Sequence, residues 1–377
     1  MKRFDFTFHS SVSLKSFRVP NRQLLRQSNQ CYFGQQRNIS AFAFDIDGVL
    51  LRGHKPIPKS REALIELKKN KIPFLCLTNG GGFMESVKAD YVNNILQLPD
   101  EFKLTPEQMI QSHTPFQEFA KDYEDKKVLI VGGYDCLNVA KSYGFKHAVH
   151  VDEYHRKYPF LYSIFPPRDL TKEEYKRMKQ MYSFEIDPED RMSAVLFMYE
   201  SDHLGRDLQI VLDFVLSNNG CPGHLQDYNF ENFEQTCKLV MSNQDFLYSS
   251  SFSWPRFGQG MIKLCLQSIF KELTGKDLQI QQYGKPMKVT YDFCTKRLNE
   301  LAKNNNIAEP IDRIFMVGDN PLSDILGAHN AGDPWQSVLV KTGLYTGDLD
   351  DKKPAHFVVA DAFTFVTQHL QDGSLDK

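Results

Sequence analysis

Short apolar runs that stop at polar turn residues recur along the chain. Ala41–Phe44, Ile72–Leu77, Val128–Val131, Ala194–Tyr199, Lys238–Met241, Arg313–Val317, Val338–Val340 and Phe357–Val359 are too short for helices, and most are rich in β-branched or aromatic residues. They predict buried strands. Between them, apolar positions fall at helical spacing. Ala63, Leu64 and Leu67 mark a helix over Ser60–Asn70, with Ser60 at its N-cap position. Further helices are predicted from Phe83 to Leu96, Asp135 to Tyr143, Met261 to Leu273, from near Thr290, and through Ala328 and Ala331. The stripe Leu208, Val211, Leu212, Val215 and Leu216 reads as one packed helix face. Strands that alternate with helices predict an α/β protein with parallel sheets and right-handed crossovers.

In parallel sheets, ligands collect at the carboxyl ends of the strands. The polar residues at these ends therefore carry the chemistry. The first strand runs into Asp45-Ile46-Asp47-Gly48. Two acids at the end of a buried strand need a partner, and a divalent cation with hard oxygen ligands is the simplest one. The second strand runs into Thr78-Asn79-Gly80-Gly81-Gly82, whose side-chain donors and glycines suit an oxyanion near a helix start. Tyr283-Gly284-Lys285-Pro286 fixes a lysine in a turn, and Gly318-Asp319-Asn320-Pro321 with Asp324 repeats the acid-at-strand-end pattern. Taken singly, each has an ordinary alternative: a solvated Asp-Gly turn, a Gly-rich loop, a surface lysine. Gly132-Gly133 is a poor match to a dinucleotide fingerprint.

The 377 residues give room for about two domains. A net charge of −2 offers no field for nucleic acid. No apolar run approaches the roughly 20 residues that span a bilayer. The seven cysteines are scattered and form no C-x-x-C, which argues against a disulfide framework or a zinc site. The first forty residues differ from the rest. Lys2, Arg3, Lys15, Arg18, Arg22, Arg26 and Arg37 face one acid, Asp5, among frequent serines. That composition predicts a mitochondrial transit peptide over 1–39, with a basic disordered tail as the alternative.

The order Asp45-x-Asp47-Gly48, Thr78-Asn79-Gly80, Gly284-Lys285-Pro286, Gly318-Asp319 with Asp324 resembles the haloacid dehalogenase-like (HAD) hydrolase superfamily. The resemblance covers almost everything after Ser40. It implies a Rossmannoid HAD core, a parallel sheet flanked by helices, split into 40–112 and 248–377. An α/β cap of the C2 type is inserted over 113–247, as in the class IIA branch of NagD and phosphoglycolate phosphatase. Leu77–Gly82, Ser242-Asn243-x-Asp245 and Gln282–Pro286 look closer still to the cat eye syndrome candidate subfamily of fungi and animals.

The resemblance also implies roles. Asp45 is the expected nucleophile and a Mg²⁺ ligand. Asp47 is the expected general acid and base, meeting the metal through its backbone carbonyl. Thr78, Asn79, Gly80 and Lys285 would hold the phosphoryl group. Asp319 would ligate Mg²⁺, with Asp324 and Asn320 in its surroundings. Asn243 and Asp245, at the return from cap to core, are candidates to contact substrate or simply to form a turn. The expected activity is hydrolysis of a small phosphomonoester in the mitochondrial matrix, and relatives with this cap often form homodimers. The alternative is a catalytically weak binding or scaffold protein on the same fold. The segment Phe160–Asp190, with Pro166-Pro167 and a charged helix over Lys172–Met181, is an addition to a minimal cap.

Overall fold

The computed structural model describes residues 39–372 apart from 134, 163–169, 182–185, 218, 223–232, 249–253, 255, 344 and 346–353. The predicted leader therefore lies outside the described residues except for its last position, and so does part of the Phe160–Asp190 addition.

The chain opens with β1, Ile39–Phe44, whose alternation sets the two faces of the first sheet. Phe42 and Phe44 point to one side, Ala41 and Ala43 to the other, and all four are fully buried. A small hairpin, β2 Leu51–Arg52 and β3 Lys55–Pro56, leads to α1, Ser60–Lys69. Ser60 is not the cap expected of it. The N-cap residue is Lys59 in the left-handed region, and the Ser60 hydroxyl donates to the Leu50 and Ile57 carbonyls at 2.9 and 2.7 Å. β4, Phe74–Leu77, α2, Glu85–Leu96, and β5, Met109–Ile110, follow.

The second sheet begins with β6, Val128–Val131, then α3, Asp135–Tyr143, β7, Ala148–His150, and α4, Val151–Lys157. Next come α5, Lys172–Met181, β8, Ala194–Phe197, α6, Leu204–Leu216, and β9, Lys238–Met241. A hairpin of β10, Leu247–Tyr248, and β11, Arg256–Phe257, leads into α7, Gln259–Thr274, and β12, Ile280–Gln282. The chain then returns through α8, Lys288–Asn304, β13, Ile311–Gly318, α9, Leu326–Ala331, β14, Trp335–Val340, β15, Phe357–Val359, and α10, Ala362–Asp372.

The first sheet has six parallel strands in the order β15-β14-β13-β1-β4-β5. Phe42, Phe44 and Phe315 on one face meet Leu64 and Leu67 of α1, Val92 of α2 and Phe365 of α10. Ala41, Ala43 and Leu77 on the other meet Tyr291, Cys294 and Leu298 of α8. Truncating a side chain as enclosed as Phe42 costs about 3–5 kcal/mol.

The second sheet has five parallel strands in the order β12-β9-β8-β6-β7. Phe197 and Met241 pack with Ile210 and Phe214 of α6 and with Ile262 and Phe270 of α7. Two layers of helix around each of two parallel sheets is the α/β architecture the sequence predicts. The limits of the middle unit differ. β12 pairs with β9, and α7 packs in the second core, so the inserted unit runs on to Gln282 rather than stopping at 247.

Candidate active site

β13, β1 and β4 are neighbours in the middle of the six-stranded sheet, and each ends in a polar residue. Asp45 follows β1, Thr78 follows β4 and Asp319 follows β13. The register pairs Phe44 with Val317, and the Asp45 amide donates to the Val317 carbonyl at 2.9 Å. Both acids thus leave the sheet at one level. All three residues are buried.

Lys285 enters from the turn before α8 and joins the strand ends. Its Nζ lies 2.8 Å from Asp45 Oδ1 and 2.7 Å from Asp324 Oδ1, and it donates to the Leu77 carbonyl at 3.0 Å. The side chain is 1 % exposed. Burial by itself pulls its pKa down. The carboxylates of Asp324 and Asp45 outweigh that and hold the ammonium above the ordinary lysine value. Asp324 sits in a single π-turn, Pro321–Ile325, a form of helix found often at functional sites. Burial raises its carboxyl, with Lys285 opposing.

The strand-end acids form one group. Ligand oxygens of Asp45, Asp319 and Asp324 lie within 4.8 Å of one another, and all three residues are buried. Three carboxylates against one lysine leave negative charge that burial alone makes costly. An all-carboxylate oxygen set of this kind fits Mg²⁺. Gly48, at φ +90°, lies against Asp319, and a Cβ there would come within 2.4 Å of the Asp319 carboxylate. Only glycine lets the turn after Asp47 close over the acids.

Asp47 stands apart from this group, with an exposed side chain at the mouth. The protein packed around its carboxyl, and then the nearby charge of Asp45, raise its pKa; Lys88 and Lys285 oppose them. A carboxyl shifted in that direction is easier to keep protonated, as a proton donor must be.

Thr78 Oγ1 accepts from the Gly80 amide at 3.1 Å, which tightens the glycine loop. Asn79 has a different place from the phosphate donor expected of it. Its Nδ2 donates to Asp245 Oδ2 and to the Lys285 carbonyl, both at 3.0 Å, and its Oδ1 accepts from the Lys285 amide at 2.7 Å. Its side chain clamps the lysine turn to Asp245. Asn243 is half of a turn, accepting from the Asp245 amide at 2.8 Å. Asn320 likewise accepts from the Leu322 amide at 2.9 Å, and its own amide donates to Asp324 Oδ2 at 3.1 Å. Burial raises the Asp245 carboxyl, while its bond to Asn79 and the charge of Lys285 lower it.

The sequence gives no sign of three further supports. The Leu77 carbonyl holds Lys285. Tyr291 donates to the Asp324 carbonyl at 3.2 Å. Gly343, from the loop after β14, packs against Asp319.

The family model of haloacid dehalogenase-like hydrolases matches residues 42–146, and a HAD-hydrolase-like model matches 282–364. A mitochondrial hydrolase of Saccharomyces cerevisiae is 37% identical over 354 residues, covering 88% of this chain and 95% of that one. A cardiolipin synthase (CMP-forming)/mitochondrial hydrolase fusion protein of Schizosaccharomyces pombe is 36% identical over 97% of this chain, which spans only 60% of the fusion. Among solved structures, a p-nitrophenyl phosphatase from Archaeoglobus fulgidus superposes with a TM-score of 0.58 at 15% identity, over 88% of this chain and 99% of that one.

Proposed function

This chain belongs to the haloacid dehalogenase-like hydrolase family, and we propose that within it the chain is a Mg²⁺-dependent phosphatase that hydrolyses a phosphomonoester through an aspartyl-phosphate on Asp45. The observation that carries this reading is Lys285, buried and shared between Asp45 and Asp324 beside Thr78. A cation there neutralises a nucleophilic carboxylate as it meets a phosphoryl group.

In this account Asp45 attacks phosphorus, and the P–O bond to the leaving alcohol breaks. Asp47 gives that alcohol its proton, then takes one from the water that hydrolyses the aspartyl-phosphate. Thr78 and the Gly80 turn bear on the phosphoryl oxygens. Lys285 holds their charge, with its backbone fixed by Asn79. Mg²⁺, held by Asp45, Asp319 and the Asp47 carbonyl with Asp324 close by, would supply further positive charge to the transferring group.

The substrate class follows from the relatives. The fusion relative's name joins a hydrolase to an enzyme that makes a phospholipid. That favours a lipid phosphomonoester over sugar phosphates and nucleotides for this chain. Both relatives are named mitochondrial hydrolases. With the basic, serine-rich leader, this supports a place in mitochondria, on the matrix side.

The test is a phosphomonoester panel, including p-nitrophenyl phosphate and phosphatidic acid, assayed with and without Mg²⁺ beside Asp45→Asn. Mg²⁺-dependent phosphate release that the variant loses is the expected result. Equal release by both proteins would remove Asp45 as nucleophile. A flat profile together with a stoichiometric partner would favour the binding-module reading.

A further inference from the structure

The hairpin of β10 and β11 rises directly from the candidate site. Asp245, bonded to Asn79, is the residue before it. Its base is closed by the Gly258 amide on the Phe246 carbonyl at 3.0 Å and the Gly260 amide on the Asp245 carbonyl at 2.9 Å. A displacement of the hairpin is therefore felt at the turn that holds Lys285.

Its side chains are unusual for a solvated hairpin. Phe246, Leu247, Tyr248, Trp254 and Phe257 are all exposed, Trp254 by 73% and Phe257 by 61%. The register sets Leu247 opposite Phe257 and Tyr248 opposite Arg256. Alternation puts the Leu247–Phe257 pair on one side and Tyr248 on the other. A hairpin that packs on its own protein is apolar on its inner side only. This one carries large apolar groups on both. The surface reaches the site mouth through Phe83, which follows the glycine loop and has its ring 6.4 Å from Tyr199. Tyr199 lies in electrostatic range of both Tyr248 and Asp47.

We propose that this hairpin is a membrane-docking element: it inserts into a bilayer surface and brings a lipid phosphomonoester, still anchored by its acyl chains, to the candidate site. The inference rests on the phosphatase reading above and names how that site takes its substrate. Three observations choose the bilayer as occupant. Tryptophan, tyrosine and phenylalanine beside Arg256 are the side chains that settle at a membrane–water boundary. The apolar surface is continuous with the mouth of a site for an anionic headgroup. The lipid substrate class proposed above needs an apolar surface where the acyl chains leave the site. Among the described residues no helix is long and apolar enough to cross a membrane, so this contact is peripheral.

The experiment uses the chain from about Ser40 onward and two variants, Trp254→Ser and the cross-strand pair Leu247→Ser/Phe257→Ser. Flotation with phosphatidylcholine vesicles doped with phosphatidic acid reads docking. Phosphate release is followed from vesicle-borne phosphatidic acid and from p-nitrophenyl phosphate. The wild type should float and both variants should stay down. Release from vesicles should fall about tenfold or more in each variant, the loss expected when buried aromatic surface is removed. Turnover of p-nitrophenyl phosphate should stay within about twofold, which also shows that the variants are folded.

Variants that float as well as the wild type would overturn the proposal. So would a wild type that turns over p-nitrophenyl phosphate but never floats. A wild type that sediments as a dimer and a Trp254→Ser variant that sediments as a monomer would make this face a contact between copies, and would overturn it too. Flotation lost in the variants, with no turnover of any phosphomonoester by the wild type, would support the docking face and overturn the phosphatase reading instead.

Discussion

The protein buries two ion clusters of the same make-up, one under each sheet, and they end up doing different things. In the first, Lys285 sits between Asp45 and Asp324. In the second, Arg206 of α6 bridges its neighbour Asp207, Nη2 to Oδ1 at 2.6 Å, and Asp152 of α4. Each places one cation between two acids, and all six groups are more than nine-tenths buried. The first cluster stands at strand carboxyl ends. It adjoins a further acid, Asp319, a glycine loop and the exposed Asp47. The second lies between helices and the sheet flank, and Ser201 closes it by donating to Asp207 at 2.6 Å. A buried ion pair is therefore not a site by itself. It becomes one where surplus charge, an open mouth and a ligand-shaped loop converge on it.

The sharpest way to break this comparison is to cut each cluster. Arg206→Ala should lose about 3–5 kcal/mol of stability in denaturant titration, because Asp152 and Asp207 are left buried without their cation. The protein that remains folded should keep its turnover. Asp45→Asn should do the reverse, lowering turnover by about 10³-fold or more while the fold stays close to wild type. Variants that fail to separate in this way would mean that the clusters are alike.

A smaller effect concerns the surplus charge. Mg²⁺ at about a hundred times its dissociation constant should stabilise the wild type by about 2.7 kcal/mol in thermal melts. Asp319→Asn should lose most of that gain, and Arg206→Ala should retain it. An equal gain in Asp319→Asn would move the metal elsewhere.

The smallest effect lies at the junction of the two sheets. His113 is fully buried, with Nδ1 2.9 Å from the Tyr143 hydroxyl, which itself bonds Glu85. Burial lowers its pKa from 6.5 to about 3. The unfolded chain takes up a proton below the ordinary value, and the folded chain does so only near the lower one. Stability contributed by this group is therefore complete above the ordinary value and is lost as pH falls through the window. The slope is about 1.4 kcal/mol per pH unit. His113→Gln should flatten that slope, and an unchanged slope would mean that His113 is not the group held neutral.

What the sequence made legible follows the same division. Strands that are apolar throughout, such as β6 and β9, stand out, and so do the acids that end β1 and β13. β12 does not, because Ile280-Gln281-Gln282 is a polar edge strand that owes its conformation to pairing with β9. The boundary at 247 erred for that reason. β5 has only two residues, Met109–Ile110, too few to show a period. α10 was missed although Phe365, Val366 and His369 fall at helical spacing, since the aromatic residues beside Phe357–Val359 read as the end of a strand. Asn79 shows the deeper limit. Its residue type suits a phosphate donor, but its partners, Asp245 and Lys285, lie 166 and 206 residues away. Only the fold brings them to its amide.

The most direct test of the central claim is to trap the phosphoryl group. Wild-type protein turning over a phosphomonoester labelled with radioactive phosphorus, in Mg²⁺, is quenched in acid and its peptides are mapped. The account predicts a hydroxylamine-labile label on the peptide that carries Asp45, and none in Asp45→Asn. Turnover without that label, or with the label on another peptide, would contradict it.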